Sequence, residues 1–260
     1  MTDTVPLEHI ERGAGNPLVL IMGLGAGADA WEAHIRSWSK RFRCIAVHNR
    51  GVSPSPNPAG PYSTAVMADD VADLIERMKL GRVTVVGISM GGAIAQHLAL
   101  RHPNLVNGLV LTATWAETGP FSKAIFDALV DARQHLSEAA FTRLLQTIVW
   151  TPAGFERRLD ELEAARTDPP STTAESFASQ VAACINHNTI DRLPDVAVPV
   201  LVTAGGQDRF VPLAESLRIQ RDIPGADLDV FADSGHVHHW EELDRYNTLV
   251  ERWITSKVTE

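Results

Sequence analysis

The sequence predicts an α/β fold in which a mostly parallel sheet carries helices on both faces. Three observations lead there. Seven short runs rich in β-branched and apolar residues alternate with segments of helical periodicity, the alternation that parallel βαβ units require. One of these runs, Thr84-Val85-Val86, ends in Gly87-Ile88-Ser89-Met90-Gly91-Gly92, and a helix-forming stretch follows at once. One long interval, 116–195, interrupts the alternation with no convincing strand.

Residues 4–12 and 17–22 read as the first two strands, split by the turn Gly13-Ala14-Gly15-Asn16. A helix over 28–41 leads to a strand over 43–48. The next helix, 64–79, carries Val66, Met67, Val71, Leu74, Ile75 and Met78 at near-helical spacing. Strand 82–87, helix 93–101, which Pro103 stops, and strand 108–112 follow. Four helices then come in succession, 121–136, 139–149, 153–166 and 173–187, punctuated by Trp150-Thr151-Pro152 and Asp168-Pro169-Pro170. Strand 198–203, helix 213–221, strand 227–231 and helix 239–254 resume the alternation. The expected organisation is therefore an α/β core of 1–115 and 196–260, with 116–195 as a helical lid over the strand ends.

The 260 residues suffice for one such domain with an insertion. A net charge of −9 argues against nucleic acid or an anionic membrane as the main partner. Met1-Thr2-Asp3-Thr4 lacks a basic, then apolar, leader pattern, and no run is long enough to span a bilayer. Cys44 and Cys184 are few and far apart, as buried free thiols would be. A cytoplasmic location fits this usage.

The chemistry centres on Ser89. A serine on a sharp strand-to-helix turn has an exposed hydroxyl, and its neighbours two residues away crowd the strand and helix, so Gly87 and Gly91 suit the turn. A hydroxyl needs a base, commonly a histidine oriented by a carboxylate. Asp208 follows the 198–203 strand in Gly205-Gly206-Gln207-Asp208, and His236 follows the 227–231 strand in Ser234-Gly235-His236. Glu117, after the 108–112 strand, is the rival acid. An Asx turn is the duller reading of Asp208. His236, His238 and His239 match no common metal-ligand spacing. Two N–H donors should face the developing oxyanion. Met90 offers one, and the loop Gly23-Leu24-Gly25-Ala26-Gly27 the other, from Leu24 or else Gly23.

On these segments, together with Trp31 and Asn49-Arg50-Gly51, the chain resembles the α/β-hydrolase superfamily over nearly its whole length. Within it the chain is similar to small bacterial serine esterases and 3-oxoadipate enol-lactonase-like enzymes, whose elbow commonly reads Ser-Met-Gly-Gly and which carry a four-helix insertion. The resemblance implies a triad of Ser89, Asp208 and His236, an oxyanion hole of Leu24 and Met90, a small-molecule ester or lactone as substrate, and no cofactor. Three positions depart from the pattern. Met22-Gly23 stands where many relatives have His-Gly, and His48 stands where many have Asp before Asn-Arg-Gly. Val237 follows the histidine where carbon–carbon hydrolases of meta-cleavage type usually have Trp, which weakens that rival reading. The other rival is a catalytically silent ligand-binding protein of the same fold. Trp115, Phe121, Phe126, Trp150, Phe210 and Val211 are candidates for an apolar substrate pocket, and Arg133, Arg143, Arg157 and Arg158 for a carboxylate on the substrate.

Overall fold

A computed structural model describes residues 4–168 and 171–258. Residues 1–3, and Pro169 and Pro170 of the expected punctuation, lie outside them. The first half runs β1 (His9–Arg12), β2 (Asn16–Ile21), α1 (Glu32–Trp38), β3 (Phe42–Val47), α2 (Thr64–Arg77), β4 (Val83–Ile88), α3 (Met90–Arg101) and β5 (Val106–Thr112). Among the described residues five helices then follow without a strand: α4 (Pro120–His135), α5 (Glu138–Val149), α6 (Pro152–Arg157), α7 (Leu159–Ala164) and α8 (Ala174–Ile185). The chain then returns through β6 (Val200–Gly205), α9 (Leu213–Asp222), β7 (Asp227–Phe231), α10 (His238–Glu241) and α11 (Leu243–Lys257).

The strands form one sheet in the order β1-β3-β2-β4-β5-β6-β7. Every neighbouring pair is parallel except β1 with β3. Side chains alternate across a strand, and β2 shows it. Val19 and Ile21 join the core formed with α2 and α3, whereas Leu18 and Leu20 join the one formed with Trp31, Trp38, Tyr246 and Trp253. Both faces are thus covered, and the parallel strands leave all their carboxyl ends on one edge.

Four expected elements differ at their ends or interiors. The first strand shortens to His9–Arg12, because side chains take earlier donors: Val5 N–H donates to Asp70 Oδ1 and Glu8 N–H to Ser55 Oγ. The helix expected over 28–41 begins as a tighter 3₁₀ turn, Ala28–Trp31, before α1. The one over 153–166 breaks at Arg158, and the last one breaks at Glu242, both non-helical in backbone angle. Punctuation in the inserted segment acts through capping hydroxyls. Ser137, Thr151 and Thr173 each accept a backbone N–H three residues on. Cys44 and Cys184 are buried free thiols, and burial pushes both pKa values up, Cys44 to about 12, so neither is poised as a thiolate. Among the described residues no helix is long and apolar enough to cross a membrane.

Candidate active site

Ser89 joins β4 to α3 with φ 55° and ψ −119°. A non-glycine residue there carries about 1–3 kcal/mol of strain, which its surroundings must offset. Its N–H donates to Thr112 O at 2.8 Å, and its carbonyl accepts from Gly92 N, Ala93 N and Thr114 Oγ1. The two flanking glycines are steric requirements. A Cβ on Gly87 would collide with the Gly91 carbonyl, and one on Gly91 with the Ile21 carbonyl of the neighbouring strand. Both obstacles are backbone and cannot rotate away. Gly91→Ala is therefore expected to destabilise the fold by about 3 kcal/mol or more, lowering Tm by roughly 10 °C in differential scanning fluorimetry.

The loops after β6 and β7 are tied to each other. Gly206 N–H donates to Phe231 O and Gln207 N–H to Ser234 O. This clasp brings Asp208 and His236 together, with Asp208 Oδ2 2.8 Å from His236 Nδ1. Both side chains are buried. Asp208 Oδ1 meanwhile accepts the Phe210 and Val211 amides, each at 2.8 Å. The Asx turn and the histidine contact are thus two uses of one carboxylate, the turn holding Oδ2 toward the ring. A carboxylate oxygen accepts, so this contact suits the imidazole tautomer with its proton on Nδ1 and a lone pair on Nε2. Glu117, the rival acid, lies elsewhere, paired with Arg218 at 3.0 Å and substantially exposed.

The loop after β2 runs past Ser89: a Cβ on Gly23 would sit 3.2 Å from Ser89 Cβ. Three polar contacts hold the loop. Asn49 Nδ2 donates to Met22 O, Gly25 N–H donates to Gln180 Oε1 at 2.9 Å, and Ala28 N–H donates to His48 Nδ1 at 3.3 Å. His48 therefore supports this loop as a neutral acceptor. Burial holds its pKa below the ordinary value, against the opposing charges of Asp29 and Glu8.

Ser89, His236, Gly23 and Leu24 line one cavity of about 220 Å³, together with Met22, Ala26, Ile88, Leu129, Leu145, Val149, Phe177, Phe210, Val237, His239 and Trp240. Met90 is buried at the first turn of α3, directly after the serine. Of the expected substrate contacts, Phe210 lines the cavity and sets its ring edge-on to His236, 5.0 Å between centroids. Trp115 does not line it; it packs on Phe126, which packs on Phe210. Trp150 lies behind Trp240, stacked at 6.2 Å, and Val211 serves Asp208 through its amide. Phe121 points to solvent. None of Arg133, Arg143, Arg157 and Arg158 lines the cavity. Arg133 pairs with Glu138, Arg158 with Glu161, and Arg157 reaches Glu241 at 4.0 Å.

Leu129, Leu145, Val149 and Phe177 escaped sequence reading as cavity residues. Leu145 and Val149 stand four apart on α5, a spacing that puts them on one helix face, but nothing in the chain says what that face covers. The side chain of Glu241, next to the cavity residue Trp240, is fully enclosed. Its Oε1 accepts from Gly235 N at 3.0 Å and from Thr151 N at 3.1 Å, and its Oε2 accepts from Thr151 Oγ1. Val237 N–H also donates to Val149 O. The histidine loop is thereby fastened to the junction of α5 and α6.

Comparison with known proteins identifies the fold and the family. The family described as the alpha/beta hydrolase fold matches residues 16–243. A relative named carbamate hydrolase RutD, from Rhizobium rhizogenes, is 26% identical over 257 residues, 95% of this chain and 96% of its own. 3-Oxoadipate enol-lactonase 2 of Acinetobacter baylyi is 27% identical, over 90% of this chain and 86% of its own. The crystal structure of the enol-lactonase from Burkholderia xenovorans LB400 superposes with a TM-score of 0.90 at 25% identity, covering 97% of each chain.

Proposed function

Because the chain belongs to the alpha/beta hydrolase family, we propose that it is a serine hydrolase cleaving a small carboxylic ester or lactone through an acyl-enzyme. The observation that carries this reading is that His236, paired with Asp208, opens together with the strained Ser89 on a single largely apolar cavity. In the proposed reaction Ser89 Oγ attacks the substrate carbonyl as its proton passes to His236 Nε2. The Leu24 and Met90 amides receive the oxyanion. Collapse expels the alcohol, which takes the proton from His236. In a lactone the alcohol stays tethered to the acyl group. Water then attacks the ester to Ser89 by the same route, releasing the acid. No step calls for a cofactor.

Leu129, Leu145, Val149 and Phe177 come to the cavity from α4, α5 and α8. This supports reading 116–195 as a lid over a core of 1–115 and 196–260. A carbamate is the second reading, favoured by the relative named for that activity; faster turnover of an alkyl carbamate than of the matched ester would establish it.

The direct test is p-nitrophenyl butyrate hydrolysis alongside labelling by a fluorophosphonate, mapped by mass spectrometry. Turnover, with one label on the Ser89 peptide, is expected. Absence of both across an ester and lactone panel would overturn the reading. A second expectation concerns loop placement. Gln180→Leu removes the acceptor for Gly25 N–H, and a small misplacement of oxyanion donors is costly. Its kcat should fall at least about tenfold with KM little changed, while circular dichroism stays native.

A further inference from the structure

His239 lines the same cavity as Ser89 and His236, yet the proposed reaction does not use it. Its ring belongs to a buried relay. His239 Nδ1 lies 3.1 Å from His34 Nε2, and His34 Nδ1 lies 2.6 Å from Asn247 Oδ1. Both rings are enclosed, and burial holds both below the ordinary histidine pKa, His34 at about 4. Each is therefore neutral at pH 7 and carries one ring proton. An amide oxygen can only accept, so the His34 proton sits on Nδ1. His34 Nε2 is then an acceptor, and the proton between the rings belongs to His239 Nδ1. That leaves His239 Nε2 with a bare lone pair.

We infer that His239 Nε2 is a specificity-determining acceptor that recognises a hydroxyl or amide N–H on the substrate. The inference rests on the ester or lactone reading for the identity of the bond cleaved. Most of the cavity wall is apolar: Met22, Ile88, Leu129 and Phe177 are examples. A substrate with only alkyl groups would desolvate the acceptor and leave it unsatisfied, whereas a donor on the acyl or alcohol part would pair with it. The preferred substrate is thus a small hydroxy- or acylamino-substituted ester or lactone, not a plain alkyl one.

Two measurements test this. In protein carrying ¹⁵N-histidine at pH 7, long-range ¹H–¹⁵N spectra, assigned with His239→Phe, should show His239 protonated at Nδ1 and bare at Nε2. An Nε2–H form overturns the inference. Hydrolysis of p-nitrophenyl butyrate is then compared with that of its 2-hydroxy and 3-hydroxy analogues. At least one hydroxy analogue should exceed the plain ester by about tenfold or more in kcat/KM, and His239→Phe should bring that ratio near one. Equal rates in wild type, or an undiminished preference in His239→Phe, overturn the inference. If that variant fails to fold, Asn247→Leu replaces it; this variant frees the relay's tautomer and should reduce the ratio. No turnover of any probe would count against the ester reading, while the spectrum still decides the acceptor.

Discussion

Replacing Ser89 by alanine is expected to lower kcat for p-nitrophenyl butyrate by about 10⁶. The size follows from the division of labour in the proposed site. In the proposed reaction the hydroxyl is the group that is acylated, and no other side chain at the turn can take its part: Ile88 and Met90 flank it, with Gly87 and Gly91 beyond. His236→Ala should cost a similar amount, and the double variant little more, because nucleophile and base act as one unit. Asp208→Asn should cost less, on the order of 10⁴. An amide at that position can still pin the Phe210 and Val211 amides through its oxygen. It then turns an N–H toward His236 Nδ1, which pushes the ring proton to Nε2 and spoils the base. Steady-state rates on protein with unchanged circular dichroism would check the series. A Ser89→Ala protein retaining more than a tenth of wild-type turnover would sink the assignment.

Acid should unfold this protein early, near pH 5. His34 and His97 have pKa values held at about 4, and His187 and His238 at about 3; His239 is held lower than its ordinary value as well. Burial is the first cause in each case. In the unfolded chain these groups titrate near about 6.5. The unfolded state therefore binds protons that the native state refuses, and acidification favours unfolding. The stabilisation is complete above the unfolded value and drains as pH falls below it. Each histidine contributes a slope of about 1.4 kcal/mol per pH unit once its unfolded form is charged. Five together approach about 7 kcal/mol per unit. A domain with about 5–15 kcal/mol of stability cannot survive that slope down to its native histidine values. Carboxylates held low, such as Glu11 and Asp227, add to the loss only once their unfolded forms protonate, below roughly pH 4.5. Fluorescence of the six tryptophans, followed through an acid titration, gives the midpoint. A native spectrum at pH 3.5 would contradict it.

The strand ends of this fold were legible in the chain because parallel strands and tight turns leave strong local marks. Thr84-Val85-Val86-Gly87 reads as a strand, and the spacing of Gly87, Ser89 and Gly91 marks a turn where side chains would crowd strand and helix; the obstacles are the Gly91 and Ile21 carbonyls. Asp208 and His236 are likewise marked in the chain as residues at strand ends, since each follows its own strand. Less could be read where position depends on partners distant in sequence. The breaks at Arg158 and Glu242 carry no proline or glycine to announce them. Trp115 and Trp150 are large and apolar, as cavity walls often are, but packing sends both behind the first layer. The relay from Asn247 through His34 to His239 spans more than two hundred positions of chain, and no local pattern could have exposed it.

Glu241 has a bearing on how substrate range could be altered in this scaffold. Exchanging the five-helix segment for that of a relative is an obvious route, since the segment enters after β5 and leaves before β6. Yet a graft lacking Thr151 would strip the enclosed carboxylate of its hydroxyl partner and loosen the strap on Gly235. The chimaera would then inherit a new pocket wall and a displaced His236 loop. Thr151 and Glu241 are separated by 90 positions, but for any such transplant they form one cassette.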